Sequence, residues 1–452
     1  MLEKITEKEF LSWLDGFLNF EKLPQKNIFW LNTMEFLCKK LNHPESICPC
    51  FHVAGSKGKG SVASLIASIM QKAGYKTGLY ASPHILDFKE RIRNGKDFFS
   101  EDIYEKSALE LMNTMESTPL SEFPSERNVT WFELVTAFGF LCMKNANVDC
   151  AVYEVGLGGR LDATNVVNPL ISVINTIELE HTEYLGDTVE KVATEKAGII
   201  KNNIPCLISN QIPSVKKVFQ TIAKERNSKC LFLDEILTSK NISYNYSKTP
   251  TGENRMNIEF SSSLFSRPIK TSLKLLGEFQ AYNAALASCA VKLVYPDISE
   301  EIIEQGLSDV TLQARFEVKH NPAKYPKLTD LIIDGAHTVN SVHYTMETFE
   351  TIYSNRKANL LFACAADKDV KDIALYFKGK FENITLTKPG NVKSCSPEKM
   401  IDAFTSANIP FTWEDDYAKA INDALDKSAK QNEVLLVIGS FYLAAEVKKA
   451  LL

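Results

Sequence analysis

Residues 55–61, Gly55-Ser56-Lys57-Gly58-Lys59-Gly60-Ser61, follow an apolar run and set two lysines among three glycines. Glycine admits positive φ and lets the backbone approach a ligand closely, so successive N–H groups in such a loop can wrap a polyphosphate. The segment fits the pattern G-x-x-x-x-G-K-[ST] imperfectly: Gly55 opens it, but Lys59 has glycine on both sides. Lys59 can reach β- and γ-phosphates, and Ser61 stands where a hydroxyl could meet Mg²⁺. Apolar residues then recur at helical spacing over 61–70, supplying a helix N-terminus and its partial positive charge.

Two further blocks could complete such a site. The run 150–153 delivers Glu154 ahead of Val155-Gly156-Leu157-Gly158-Gly159-Arg160-Leu161-Asp162-Ala163. The carboxyl end of a strand is where doubly wound sheets bind ligands, and Mg²⁺ takes one or two carboxylates besides phosphate and water. The competing reading of Glu154 is a solvated strand-end acid. Downstream, His181 follows the strand candidate 170–174 in the sequence Glu178-Leu179-Glu180-His181-Thr182, and Lys196 sits in Glu195-Lys196-Ala197-Gly198. Lone histidines are more often structural, and Lys196 could equally be a surface lysine paired with Glu195 or Asp187.

These residues need a scaffold that brings strand ends together. Short β-rich runs alternate with amphipathic segments, which predicts a parallel α/β architecture. Helices are expected at 6–20, 28–41, 61–73, 101–115 and 132–144, and strands at 50–53, 77–80, 150–154, 170–174 and 204–208. Residues 239–269 are polar and read as a β-hairpin excursion, before an alanine-rich helix running to 293. A second α/β unit starts near Leu328, with strands at 331–334, 359–363, 384–387 and 434–438. At 452 residues two domains are expected: an N-terminal P-loop ATPase-type domain with a mostly parallel sheet (1–312), a linker (313–327) and a smaller Rossmann-like C-terminal domain (328–452).

Bulk properties narrow the partners. Apolar residues at 45% and charged residues at 24% suit an ordinary globular protein. A net charge of −5 without a basic block argues against nucleic acid. No apolar run is long enough to cross a bilayer, and the acidic N-terminus lacks a signal-peptide core, so a cytoplasmic location is expected. The ten cysteines are scattered and read as reduced thiols. Cys48-Pro49-Cys50 lacks the second pair that a zinc site would require.

The block G-[ST]-[NK]-G-K-G-S, with Ser82-Pro83-His84, Glu90-Arg91-Ile92 and Asn94-Gly95 after it, resembles the Mur-ligase-like family. It is most similar to the folate branch, the dihydrofolate synthases and folylpolyglutamate synthases, and the likeness continues in the family's order to the C-terminus. The resemblance implies ATP and two Mg²⁺ sites. Glu154 and Ser82 would hold the first Mg²⁺. His181 and Lys196 would serve the second, Lys196 as a carbamate, an oxygen ligand where an ammonium would repel the ion. Thr130, Phe132 and Glu133, in a T-x-F-E segment, and Leu161, Asp162 and Ala163 would face the pterin, although Thr130 also suits a helix cap. Asn283, Arg315, Asp334 and His337 would serve the nucleotide or the chemistry. The chain departs from family habit at Glu180 for an aspartate, at Ala314 for a glycine, at Thr338-Val339 after His337, and over 19–34.

The chemistry implied is ligation. ATP would activate the carboxylate of dihydropteroate or a reduced folate as an acyl phosphate, and L-glutamate would attack it, in a monomer with small-molecule partners. Gly159-Arg160-Leu161-Asp162-Ala163 resembles the dihydropteroate-accepting version of that loop. A folylpolyglutamate synthase without dihydropteroate activity, a ligase acting on a UDP-sugar peptide, and a silent folate- or nucleotide-binding protein are the alternatives. The joint presence of Lys59, Glu154, His181, Lys196 and Arg315 argues against silence.

Overall fold

The computed structural model describes residues 4–19, 31–124, 127–238, 242–249 and 251–452. The expected helix end at Phe20, helix start at 28–30 and divergent stretch 20–30 lie outside the described residues, as do 239–241 of the expected hairpin.

Strands β1 (Cys50–Ala54), β2 (Thr77–Tyr80), β3 (Ile92–Asn94), β4 (Asp97–Phe98), β5 (Cys150–Glu154), β6 (Ile171–Ile174), β7 (Cys206–Ile208) and β8 (Cys230–Phe232) form one sheet. Their order is β4-β3-β2-β5-β1-β6-β7-β8, parallel from β2 to β8, with β3 and β4 added antiparallel. β1, β5 and β6 are buried residue by residue, and hence read as mainly apolar runs rather than alternating ones. From β1 the chain passes over β5 to reach β2, whereas from β5 it passes over β1 to reach β6. The carboxyl ends of these central strands therefore flank the point where connections diverge, the crevice in which open α/β sheets bind ligands.

Helix Lys59–Lys72 is apolar around most of its circumference and is buried from Ser61 to Met70. It lies between the sheet and helices Glu278–Val294 and Glu300–Asp309. The last contact needs a glycine: a Cβ on Gly306 would stand 2.5 Å from the Ile69 Cα. Ser68 Oγ closes that gap by donating to the Gly306 carbonyl at 2.7 Å.

The polar region after 238 is a three-stranded antiparallel sheet rather than a hairpin: β9 (Ser243–Lys248), β10 (Asn254–Phe260) and β11 (Ile269–Leu273). β10 alternates buried residues with half-exposed or exposed ones, and its Met256, Ile258 and Phe260 pack into the main core. Strands β12 (Glu317–His320), β13 (Asp330–Ile333), β14 (Ala358–Phe362), β15 (Asn383–Leu386), β16 (Thr412–Trp413) and β17 (Val434–Ile438) build the C-terminal sheet, in the order β12-β13-β17-β14-β15-β16. β12 pairs antiparallel with β13, so the expected linker 313–327 is only partly a linker. The connection between the sheets narrows to residues 310–316, and the remainder is an edge strand and turn. Among the described residues no helix is long and apolar enough to cross a membrane. All ten cysteines are unpaired.

Candidate active site

The carboxyl ends of β1, β5 and β6 open into a cleft of about 1270 Å³, which loops of the C-terminal domain line from the opposite side. All the site residues expected from sequence line it except Gly55 and Lys196, which sit immediately behind the wall.

The phosphate loop leaves β1 at Gly55, with φ +145°, and turns into the helix at Gly58, with φ +73°. Gly58 is required twice over. Its backbone is left-handed, and a Cβ there would stand 2.4 Å from Asn175 Nδ2 and 2.7 Å from Asn283 Oδ1. Lys59 curls over its own loop and donates to the Gly55 carbonyl at 2.9 Å. Lys57, half-buried, has its amine pushed toward neutrality by burial and by the neighbouring Lys59 and Arg315, against the pull of Glu180 and Glu178.

Glu154 ends β5 beside the loop, and its Oε2 accepts the backbone N–H of Ser82 at 3.0 Å. Burial raises its pKa, while Lys59, the Ser82 contact, Arg315 and Arg91 pull it down. Ser82 thus meets Glu154 through its backbone, which leaves its hydroxyl for a ligand. Lys196 is no surface lysine. It is 1% exposed, donates to the Gly55 carbonyl at 2.9 Å and pairs with Glu180 at 2.8 Å. Glu195 pairs instead with Arg160, and Asp187 with Lys191. Burial and the charge of Lys59 bring the Lys196 ammonium down to about 8. Although burial opposes it, the charges of Lys59 and Lys196 draw the Glu180 carboxyl down to about 2. His181 follows in a left-handed conformation, φ 45°, at the start of helix Thr182–Leu185.

At the other end of the cleft the aromatic residues Phe88, Trp131 and Phe132 form a wall. Buried Arg91 stacks 4.9 Å from the Trp131 ring and donates to His84 Nδ1 at 2.8 Å. The two carboxylates expected to bind a substrate ring line the cleft, and each already accepts hydrogen bonds from its own segment of chain. Glu133 accepts from Thr130 N at 2.7 Å and Oγ1 at 2.9 Å, closing a capping box, and pairs with Arg127 at 2.6 Å. Asp162 accepts from Gly156 N, Leu157 N and Thr164 N at 3.0 Å each and from Thr164 Oγ1 at 2.5 Å. Four donors fill an ionised carboxylate, so Asp162 staples its own loop. Leu161 and Ala163, beside it, present apolar surface to the cleft.

Against Gly58, Asn283 is held between Asn175, which donates at 2.7 Å, and Gln280, which accepts at 3.0 Å. Arg315 lies 4.2 Å from the Phe441 ring centroid, on a short stretch where Ala314 (φ 52°) and Phe316 (φ 45°) are both left-handed. Asp334 clamps that stretch, accepting Phe316 N at 2.6 Å and Ala336 N at 2.7 Å. Burial raises the Asp334 carboxyl to about 6, against those two bonds and Arg315. His337 Nδ1 donates to the Gly335 carbonyl at 2.7 Å, leaving Nε2 as an acceptor. Burial, then Lys57, Lys368 and Arg315, hold it down to about 4 against that bond, so the ring is neutral at physiological pH.

Sequence reading missed Glu180 as the partner of Lys196, Asn175 as a wall of the phosphate loop, and the Arg91–Trp131 stack. Glu180 had a signal, since it replaces the aspartate of the family pattern beside His181. Asn175, at the end of β6, had the same strand-end position as Glu154. Arg91 and Trp131 lie 40 residues apart, and nothing in the chain announces their meeting.

Residues 53–291 match the Mur ligase middle domain and residues 314–441 the Mur ligase glutamate ligase domain. The chain is 30% identical over 446 residues to the dihydrofolate synthase/folylpolyglutamate synthase of Bacillus subtilis, covering 97% of this chain and 98% of that one. The crystal structure of folylpolyglutamate synthase from Thermotoga maritima superposes with a TM-score of 0.79 at 28% identity, covering 98% and 96% of the two chains. E. coli FolC in complex with DHPP and ADP superposes with a TM-score of 0.79 at 26% identity, covering 98% and 97%. With both domains matched in order around one cleft, the chain belongs to the Mur ligase family, in its dihydrofolate synthase/folylpolyglutamate synthase branch.

Proposed function

We propose that the protein is an ATP-dependent ligase that joins the amino group of L-glutamate to the carboxylate of dihydropteroate, and that it also extends reduced folates. The observation that carries this reading is the single cleft. Its phosphate loop and cations occupy the middle, an aromatic wall one end and the loops of the C-terminal domain the other. A nucleotide, a flat-ringed acid and a small amine can lie side by side there. The bifunctional name of the Bacillus subtilis relative and the DHPP and ADP of the E. coli structure support the same substrates.

A carboxylate is a poor electrophile, so it must be activated. Its oxygen attacks the γ-phosphorus of ATP, the bond to the β-phosphate oxygen breaks, and ADP leaves an acyl phosphate. Glutamate's amine then attacks the acyl carbon and inorganic phosphate departs with the carbon–oxygen electron pair. Lys59, Arg315 and the helix N-terminus at Lys59 neutralise charge on the transferring group, an electrostatic and positioning task. Asp334 accepts one backbone N–H on each oxygen and so keeps acceptor capacity for the proton of the amine. Neutral His337, with Nε2 as an acceptor, also fits as a hydrogen-bond partner for that amine.

The donors present fit Mg²⁺. Glu154 and the Ser82 hydroxyl would hold one ion, with Ser61 as a phosphate contact, and His181 and Lys196 a second. Among the described residues no three His, Cys, Asp or Glu side chains converge as a cage. Mg²⁺ usually takes one or two carboxylates and completes its shell with phosphate and water. When bound, Mg²⁺ neutralises phosphate charge. A lysine drawn down to about 8 offers the neutral amine that adds CO₂. The new C–N bond forms as a proton leaves, giving a carbamate at Lys196 that would show as a mass increase labile to acid.

The deciding assay offers dihydropteroate and a reduced folate separately, with ATP and glutamate, and resolves products by mass. Dihydrofolate formation is expected. Product from the reduced folate alone would make the chain a folylpolyglutamate synthase only, and nucleotide binding without phosphate release would make it a silent binder. Because Asp162 staples a loop shared by both substrates, Asp162→Ala should depress both activities together. A loss confined to dihydropteroate would return Asp162 to direct ring recognition.

A further inference from the structure

A hydrogen-bond chain runs from the middle of the large sheet into the loop that follows Glu154. His52, on β1 and fully buried, has Nε2 2.8 Å from Thr164 Oγ1. The Thr164 hydroxyl donates to Asp162 Oδ1, so the proton between His52 and Thr164 belongs to Nε2. Asp162 Oδ2 then accepts the N–H groups of Gly156 and Leu157. His52 Nδ1 is buried without a partner among the described residues. Such an orphan is a standing cost, which an apolar side chain of similar size would avoid. What the ring supplies in return is the Nε2–H. Burial and the nearby charge of Lys201 keep it neutral, down to about 3, so the donor is single and directional.

The far end of the loop is anchored independently. Arg160 N donates to the Glu195 carbonyl at 2.8 Å, and Lys201 Nζ to the Asn165 carbonyl at 2.6 Å. Losing the His52 donor would therefore loosen the segment beside Glu154 without releasing the whole loop.

We propose that His52 is a positioning residue, orienting Asp162 through the Thr164 hydroxyl so that the Gly156–Leu157 backbone is held as part of the cleft wall. Only the kinetic arm of the test rests on the substrate reading above. Three variants separate positioning from packing: His52→Leu removes the donor and the orphan nitrogen, His52→Gln restores a donor near the Nε2 position, and Thr164→Val breaks the next link. Amide hydrogen exchange at Gly156 and Leu157 should accelerate about tenfold in His52→Leu and Thr164→Val and stay near wild type in His52→Gln. The melting temperature of His52→Leu should not fall, since an unsatisfied nitrogen is gone. The double variant His52→Leu/Thr164→Val should be no worse than either single, as expected of one chain of bonds. In the kinetic arm, KM for dihydropteroate should rise in His52→Leu while ADP affinity is kept. Unchanged exchange in folded His52→Leu, or equal loss in His52→Gln, would overturn the proposal. If His52→Leu does not fold, Thr164→Val decides, and if the wild type does not ligate dihydropteroate, the exchange arm stands alone.

Discussion

The two walls of the cleft use the same unusual backbone in different ways. In the N-terminal wall the left-handed turn of the phosphate loop falls on Gly58, hemmed by Asn175 and Asn283 so that no side chain fits. In the C-terminal wall it falls on Ala314 and Phe316, whose side chains are buried and which carry strain that the Asp334 clamp holds. The first wall hangs from sheet register: Val53 opposite Glu154 and Ala54 opposite Ile174 align three strand ends, so the phosphate loop, Glu154 and Asn175 are set before any ligand arrives. The second hangs from a seven-residue connection and one carboxylate. Preorganisation is built into the phosphate side, and adjustability into the side that carries Arg315 and His337.

If the N-terminal wall is the rigid electrostatic half, damage there should be greatest and should leave the fold intact. Lys59→Ala is expected to lower turnover by roughly 10²-fold or more, since preorganised donors at transferring groups are typically worth that much. A folded variant keeping a tenth of wild-type turnover would contradict it. Gly58→Ala forces a Cβ into the Asn175–Asn283 contact and a left-handed alanine that costs about 1–2 kcal/mol. KM for ATP should rise about tenfold or more, with KM for the pterin acid less affected. Equal shifts in both would mean that the loop shapes the whole cleft rather than its phosphate end.

The adjustable wall should reveal itself through pH. Burial holds the Asp334 carboxyl at about 6, above its ordinary 3.8, so the native state binds that proton more tightly than the unfolded chain. Its contribution to stability is full at low pH and is lost as pH rises toward and through 6. His337 runs the other way. Held at about 4, below its ordinary 6.5, it contributes stability present above pH 6.5 and lost as pH falls through 4. The two contributions oppose each other across the same window, each up to about 3 kcal/mol. Apart from a constant offset, Asp334→Asn should gain on the wild type as pH rises from 4 to 7, and His337→Gln should gain as pH falls over that range. Urea unfolding at several pH values measures both differences. Parallel curves for Asp334→Asn and wild type would show that Asp334 titrates as an ordinary carboxyl.

Much of the rigid wall was readable from the chain because its cues are local. Glycine spacing, an apolar run into a loop and a helix after it placed the phosphate site, and β5 and Glu154 followed from one unbroken apolar run. Across the rest, pairing rather than pattern decided. The linker misreading arose because Glu317–His320 is polar and half-exposed, an edge strand recognisable only by its partner β13. β3, β4 and β16 have two or three residues each, too short for a period of two to register. Glu133 and Asp162 read as ligands because a carboxylate beside glycines or aromatics could be one, and the donors they meet include backbone N–H groups, which composition does not reveal. Glu180 was legible as a departure, but its place beside Lys196, 16 residues later, depends on how the loop after β6 meets helix Val189–Ala197.

The smallest expected effect tests the comparison most directly. Ala314 is fully buried and left-handed, at a position where the family pattern that this segment resembles has glycine. Ala314→Gly would relieve backbone strain of about 1 kcal/mol or a little more. It would also lose a buried methyl worth about 0.8 kcal/mol and enlarge the freedom of the unfolded chain by a comparable amount. These terms nearly cancel, so stability should change by less than about 1 kcal/mol and turnover by less than about threefold. Gly58→Ala makes the reverse exchange at the other wall, and there nothing offsets the collision with two asparagines. A large loss of activity in Ala314→Gly would show that the strained backbone, and not only the Asp334 clamp, aims Arg315. The C-terminal wall would then be as preorganised as the phosphate loop, and the contrast between the two would rest on burial alone.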